Sequence, residues 1–368
     1  MSKDPWPLFE WVKSYADLGW HRTGTAVETQ TFDWVAGLAT ELGGQVEYCP
    51  YEFPFYKADV SALGFHIEAL YYSFVGEEKT GAYAIERLGF DEQHGDSSIS
   101  ASIAGLVQKA KQGGAEAIVL ATGDRKSELV AVNRPPRDPG DLPVFLVAGK
   151  DFEPLKGERP ELRYSASVES KTSRNISIKF GDFSLERPPL MITTPLSGWF
   201  NCAGERGTGL AIALSVAAKV GRNYPVFLLC PTGHELGYFG AEKFTEEFDV
   251  PLKAVLHIGS CVAVKEKAQA VLTARSNLKP NVFNKMAKVV AQAGTELERP
   301  ADPLDRYHWF GEAECWASSG IPMISLAGTS GAFHTLNDTA ELATDPDILR
   351  KREGVFLAVA NQLVENDI

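Results

Sequence analysis

Residues 189–217 read PLMITTPLSGWFNCAGERGTGLAIALSVA, and this stretch decides the fold class. Residues 190–194 are a short apolar run of the kind that forms a buried strand, and residues 207–220 carry a helical pattern. Between them lies a loop, 195–206, that ends on Glu205 and Arg206. The same alternation continues downstream, with strands expected at 226–230, 254–258 and 323–326 and helices at 241–248, 282–293 and 348–364. Buried strands alternating with amphipathic helices imply an α/β fold, a mixed and largely parallel sheet flanked by helices. Ligands of such sheets sit in the loops that follow the strands. Those loops are 195–206, 231–237, 259–262 and 327–335.

Toward the N-terminus, Phe9, Val12, Tyr15 and Ala16 recur at helical spacing, and 31–42 repeats the pattern up to a stop at Gly43 and Gly44. Residues 45–55, QVEYCPYEFPF, alternate loosely and are aromatic-rich, as an edge strand would be. A second unit follows, with a helix at 100–111, a buried strand at 117–121, a loop rich in Pro, Arg and Asp at 133–141 and a strand at 143–147. The expected organisation is one domain made of 1–58 and 170–368, interrupted by a smaller α/β insert at 59–169. No fixed-period repeat or low-complexity run occurs.

The chain has 368 residues, 44% hydrophobic and 23% charged, enough apolar mass for a sizeable core. A net charge of −12 without a clustered basic surface excludes a nucleic-acid partner; the small basic spots at 134–137 and 351–352 read as solvated surface. No window of about 18 apolar residues exists, so no membrane span is expected. The first residues lack the charged start and apolar core of a signal peptide. Cys49, Cys202, Cys230, Cys261 and Cys315 are widely spaced and odd in number, which fits reduced thiols of a cytoplasmic protein.

Three of the strand-end loops carry an acid or a histidine of the metal-binding type. Glu205 stands in AGERGTGLA, His234 and Glu235 in PTGHELGYFGAEKF, and His334 in GAFHTLNDT. Each alone has a plainer role: a Glu at a helix N-terminus suits the helix dipole, and a lone His more often makes structural hydrogen bonds. Together, two carboxylates and one imidazole leave a position open for water, the pattern of a catalytic zinc site.

These blocks carry a family resemblance. Residues 189–217, 226–244 (VFLLCPTGHELGYFGAEKF) and 318–341 (SSGIPMISLAGTSGAFHTLNDTAE) resemble, in order and spacing, the site-bearing segments of zinc aminopeptidases of the M28 type. Residues 20–43, WHRTGTAVETQTFDWVAGLATELG, are similar to that family's leading helices, and 59–169 is similar to the protease-associated insert some members carry. The resemblance implies the family's phosphorylase/hydrolase-like sheet and a two-zinc site. Carried over residue by residue, the Asp that bridges the ions falls on Glu205, and the second ion's private ligands fall on Glu235 and His334. The first ion's private His and Asp fall on Pro195 and Gly259, neither able to bind a metal. The family's next Asp becomes Ser197, and its general-base Glu becomes His234.

Random decay would strike both ions' ligands, whereas here one complete set of three persists. Such a one-zinc layout is similar to that of glutaminyl cyclases, which share the fold and move the proton with the Glu preceding the metal Glu. The cyclases' pocket Asp falls on Glu312, with Glu314 as the alternative. The resemblance therefore implies one divalent metal, zinc, on Glu205, Glu235 and His334, with His234 as base and acid and Glu312 beside it. The activity implied is metal-assisted attack on an amide or related carbonyl bond of a small molecule or short peptide. A non-catalytic binding member that has lost its metal, and a one-zinc cyclase or lyase, are the alternatives.

Other patterns fit poorly. Gly204-x-x-Gly207-x-Gly209 is not the GxGxxG of a dinucleotide-binding oxidoreductase, and Glu205 would face the pyrophosphate. In HELGY, Tyr238 stands where a zincin's second His would be, and residues 328–332 do not make a GxSxG elbow. Cys202 and Cys261 sit in strand-end loops and read as small buried hydrophobes. The run 305–309 (DRYHW) suits a pocket lining and an exposed loop equally. An insert of this kind leaves a homo-oligomer open.

Overall fold

Two helices open the fold, and their limits follow from their end residues. A computed structural model describes residues 6–89, 96–123, 128–184, 187–265 and 270–368; the first five residues, on which the signal-peptide expectation partly rests, lie outside these. Helix α1 (Leu8–Asp17) buries Leu8, Trp11, Val12 and Tyr15 on one face. Helix α2 (Ala26–Glu41) begins at 26 and not at 31 because Thr25 and Glu28 cap it. The Thr25 hydroxyl accepts from the Glu28 N–H, and the Glu28 carboxylate accepts from the Gly24 N–H.

Strand β1 (Gln45–Ala62) is followed by β2 (Ile67–Ala69), β3 (Gly76–Thr80), β4 (Tyr83–Leu88), helix α3 (Asp96–Gln112), β5 (Ala117–Thr122), β6 (Val144–Ala148) and helix α4 (Phe152–Glu158). Strands β2, β6, β5 and β4 form a four-stranded sheet in that order, and every residue of β5 and β6 is buried. The chain returns as β7 (Leu162–Phe180), antiparallel to β1 from Gln45↔Lys179 to Ala62↔Leu162. Both long strands continue unbroken past residues 58 and 170. As expected, β1 lies at the edge of its sheet, where Pro50 and Pro54 cost no central ladder bond.

The remainder alternates: β8 (Leu190–Thr193), α5 (Thr208–Gly221), β9 (Val226–Cys230), α6 (Phe239–Glu247), β10 (Ala254–Ile258), β11 (Val271–Ser276), α7 (Pro280–Val290), β12 (Leu297–Glu298), β13 (Met323–Thr329), α8 (Ala340–Ala343) and α9 (Pro346–Glu365). The result is a nine-stranded mixed sheet ordered β1-β7-β9-β8-β10-β13-β11-β12, with β3 also on β7. Its centre, β9-β8-β10-β13, is parallel, as the strand–helix alternation implies. Strand β11 escaped the sequence pattern because several of its positions are exposed or half-buried, which breaks the apolar run.

Nearly all of α5 is buried, packed against α1 and α9. Each Leu, Ile or Val there contributes about 1.5–3 kcal/mol by leaving water. A Cβ on Gly209 would stand 3.0 Å from both the Gly259 carbonyl and Thr194 Oγ1, so α5 meets the strand ends at backbone distance. That approach anchors the turn that leads into α5, which carries Glu205 and Arg206. No helix among the described residues is long and apolar enough to cross a membrane.

Candidate functional site

Glu205 and Arg206 lie in a single π-helical turn, Ala203–Gly207, that joins the loop after β8 to α5. Such turns are rare and concentrate at functional sites. Asp338 holds the turn, its two carboxylate oxygens accepting from the Gly204 N–H at 2.8 Å and the Glu205 N–H at 2.9 Å. Glu205 Oε1 then faces two nitrogens: Arg206 Nη2 at 2.6 Å and His334 Nε2 at 3.1 Å. Burial pushes the Glu205 carboxyl up, but Arg206 and His334 together hold it below the ordinary carboxylate range. Burial likewise works against the Arg206 cation, and Glu205 more than offsets it, leaving Arg206 above its usual value.

Ser197 is the pivot of the site. Its hydroxyl donates to Glu235 Oε2 at 2.8 Å and accepts from the His234 backbone N–H at 3.1 Å, and its carbonyl accepts from Arg206 Nε at 3.0 Å. The other oxygen of Glu235 accepts from the Thr23 N–H at 2.7 Å. Burial raises the Glu235 carboxyl. The His234 ring places Nδ1 3.2 Å from Glu312 Oε1. Burial, and then the Arg206 charge, drive His234 well below its ordinary pKa, so the ring is neutral. Burial also lifts Glu312 to about 8, against the pull of Arg206. Glu314 lies elsewhere, bonded to Arg306, which also reaches Glu242. Of the two acids, Glu312 is therefore the one at His234. In the 305–309 run, Tyr307 is exposed while Trp309 is buried and donates to the Pro303 carbonyl.

The five expected site residues are brought to one place, yet the expected ligand trio is not assembled as a metal cage. Among the described residues no group of three or more His, Cys, Asp or Glu side chains is placed to hold a metal ion. Glu205 and His334 meet, but Glu235 is turned to Thr23 and Ser197, and a guanidinium stands against Glu205. At position 259 a Cβ would stand 2.6 Å from Ala327 Cβ and 2.8 Å from His257 Cε1, so no acid side chain has room there. As placed, Glu205, Glu235 and His334 do not form a closed ligand set for zinc, although both Glu205 carboxylate oxygens and His334 Nε2 are buried without a hydrogen-bond partner. Arg206 is the site residue that no motif in the sequence marks. Its only sequence signal is a full charge directly after the carboxylate, at the mouth of an otherwise apolar helix.

The site is also covered. The Ala131 N–H donates to the His334 carbonyl, His334 Nδ1 donates to the Ala131 carbonyl at 3.0 Å, and the Arg134 N–H donates to the Glu235 carbonyl. Trp199 Nε1 donates to Asn133 Oδ1 at 2.8 Å. Beneath this segment Glu205, Glu235 and Glu312 are fully buried, and His234 and His334 are only 5% and 6% exposed. Cys202 and Cys261 are buried with thiol pKa values raised well above normal by burial, which leaves them inert.

The fold has structural counterparts. A zinc aminopeptidase from Bacillus subtilis superposes with a TM-score of 0.75 at 14% identity, over 96% of this chain and 93% of that one. A peptidase M28 precursor from Shewanella amazonensis gives 0.75 at 16% identity, over 98% and 93%. The chain has the fold of the M28 zinc aminopeptidases. A glutaminyl cyclase from Porphyromonas gingivalis gives a TM-score of 0.50 at 12% identity, over 97% and 96%. No protein-family model and no curated protein matches the sequence. The M28 aminopeptidase fold thus spans nearly the full length of the chain.

Proposed function

We propose that this chain is a binding member of the aminopeptidase fold, in which the Arg206 guanidinium has taken the place of a metal's positive charge. The observation that carries this reading is the fully buried contact of 2.6 Å between Arg206 Nη2 and Glu205 Oε1. A guanidinium keeps its protons, so it can orient an anionic or carbonyl group but cannot generate a hydroxide as a metal does. With His234 neutral and Glu312 raised to about 8, the remaining groups are set for hydrogen bonding to a small molecule or short peptide. The covering segment 131–135 must move for such a ligand to enter.

A second reading, a one-zinc hydrolase of amide or related carbonyl bonds, is favoured by one observation: His334 Nε2 and Glu205 Oε1 approach to 3.1 Å. Zinc content of protein purified without added metal, measured beside hydrolysis of aminoacyl amides, separates the two. The binding reading expects sub-stoichiometric zinc and no turnover. Stoichiometric zinc that a chelator removes together with turnover would establish the hydrolase.

A further inference from the structure

A cavity of about 210 Å³ lies between α3, the start of β6 and residues 132–142. Its polar lining is Ser73, Ser100, Asn133, Arg134, Arg137 and Asp141, and its remaining wall is largely apolar. The charge balance inside it is uneven. Asp141 is already paired with Lys111 at 2.5 Å, while neither Arg134 nor Arg137 has an acidic partner among the described residues. Arg134 Nη1 is buried and makes no hydrogen bond. A buried, unmatched guanidinium N–H costs desolvation energy that only an acceptor recovers.

We infer that this cavity is a binding site for a small oxyanion, a phosphate- or carboxylate-bearing metabolite held by the Arg134 and Arg137 guanidinium groups. Two arginines lining one cavity suit the planar, bidentate recognition that carboxylates and phosphates share. Burial and then the neighbouring Arg137 charge lower Arg134 to about 10. The cavity takes a compact ligand, with the anion at the arginines and an apolar remainder against α3. This inference stands apart from the proposed function: it needs neither a metal nor an open site at Glu205.

The test is a thermal-shift and calorimetric titration of the full chain with inorganic phosphate and, separately, succinate, each against sodium chloride at matched ionic strength. Variants R134Q, R137Q and the surface control R163Q are run in parallel. The expected result is a saturable shift with phosphate or succinate that chloride does not reproduce, weakened about tenfold to a hundredfold in R134Q and R137Q and unchanged in R163Q. A stronger response to phosphate assigns a phosphoryl ligand, and a stronger response to succinate a carboxylate. Arg137 is exposed, so R137Q keeps the test sound even where R134Q folds poorly. No shift beyond chloride, or equal shifts in wild type and R137Q, would overturn the assignment.

Discussion

Arg206 Nη2 lies 2.6 Å from Glu205 Oε1, and neither side chain has exposed surface. A buried ion pair adds little net stability, but removing one partner strands the other charge. Arg206→Ala is therefore expected to lower unfolding free energy by about 3–5 kcal/mol. The double change Glu205→Leu with Arg206→Met is expected to recover most of that loss. Urea unfolding of the three proteins measures both, and equal losses in single and double variants would speak against the pair.

The family resemblance puts a metal-binding acid at position 259, and Gly259 leaves no space there for a side chain. A Cβ would meet Ala327 Cβ at 2.6 Å and His257 Cε1 at 2.8 Å. Gly259→Ala is expected to destabilise by about 1–3 kcal/mol through overpacking, and Gly259→Asp by more without gaining zinc. Thermal unfolding with and without zinc reads both outcomes.

Ser197 serves Glu235 and His234 with one hydroxyl. Ser197→Ala leaves a buried carboxylate oxygen and a buried N–H without that partner, at a cost of about 1–3 kcal/mol. Equilibrium unfolding checks it, and a loss below a few tenths of a kcal/mol would show that the contact is idle.

The buried acids set a pH dependence whose sign can be worked out. Glu312 is raised to about 8 from an ordinary 4.5, chiefly by burial, so the folded chain binds a proton there that the unfolded chain releases. Its contribution to stability is full below about pH 4.5 and is lost as pH rises through about 8. Glu28 and Asp338, each raised to about 7 by burial, act in the same direction. His21 and His257, lowered to about 3 by burial, act oppositely on the acid side. Glu312→Gln should therefore decline less steeply than wild type between about pH 5 and about pH 9 in urea unfolding. Parallel curves for the two proteins would contradict the assignment.

What the sequence could reveal follows the range of the interactions. The parallel centre of the sheet was legible because β8, β9, β10 and β13 are buried throughout or nearly so, and buried strands write themselves as apolar runs. Glu205, His234, Glu235 and His334 were legible from their place in the strand-end loops, whereas Glu312 was reached only through the family resemblance, with Glu314 as its rival. Their partners were not. Arg206 looks like any charged residue at a helix start until the π-turn folds it back on Glu205. Ser197 read as a lost acid, although it ties Glu235, His234 and Arg206 together. The backbone bonds from Ala131 and Arg134 to the site join segments far apart in sequence and leave no side-chain signature.

The most direct measurement is anomalous scattering at the zinc edge from crystals of the protein soaked in zinc. The account predicts guanidinium density against Glu205 and no anomalous peak between Glu205 and His334. A peak bonded to Glu205, Glu235 and His334, with Arg206 swung away, would contradict it.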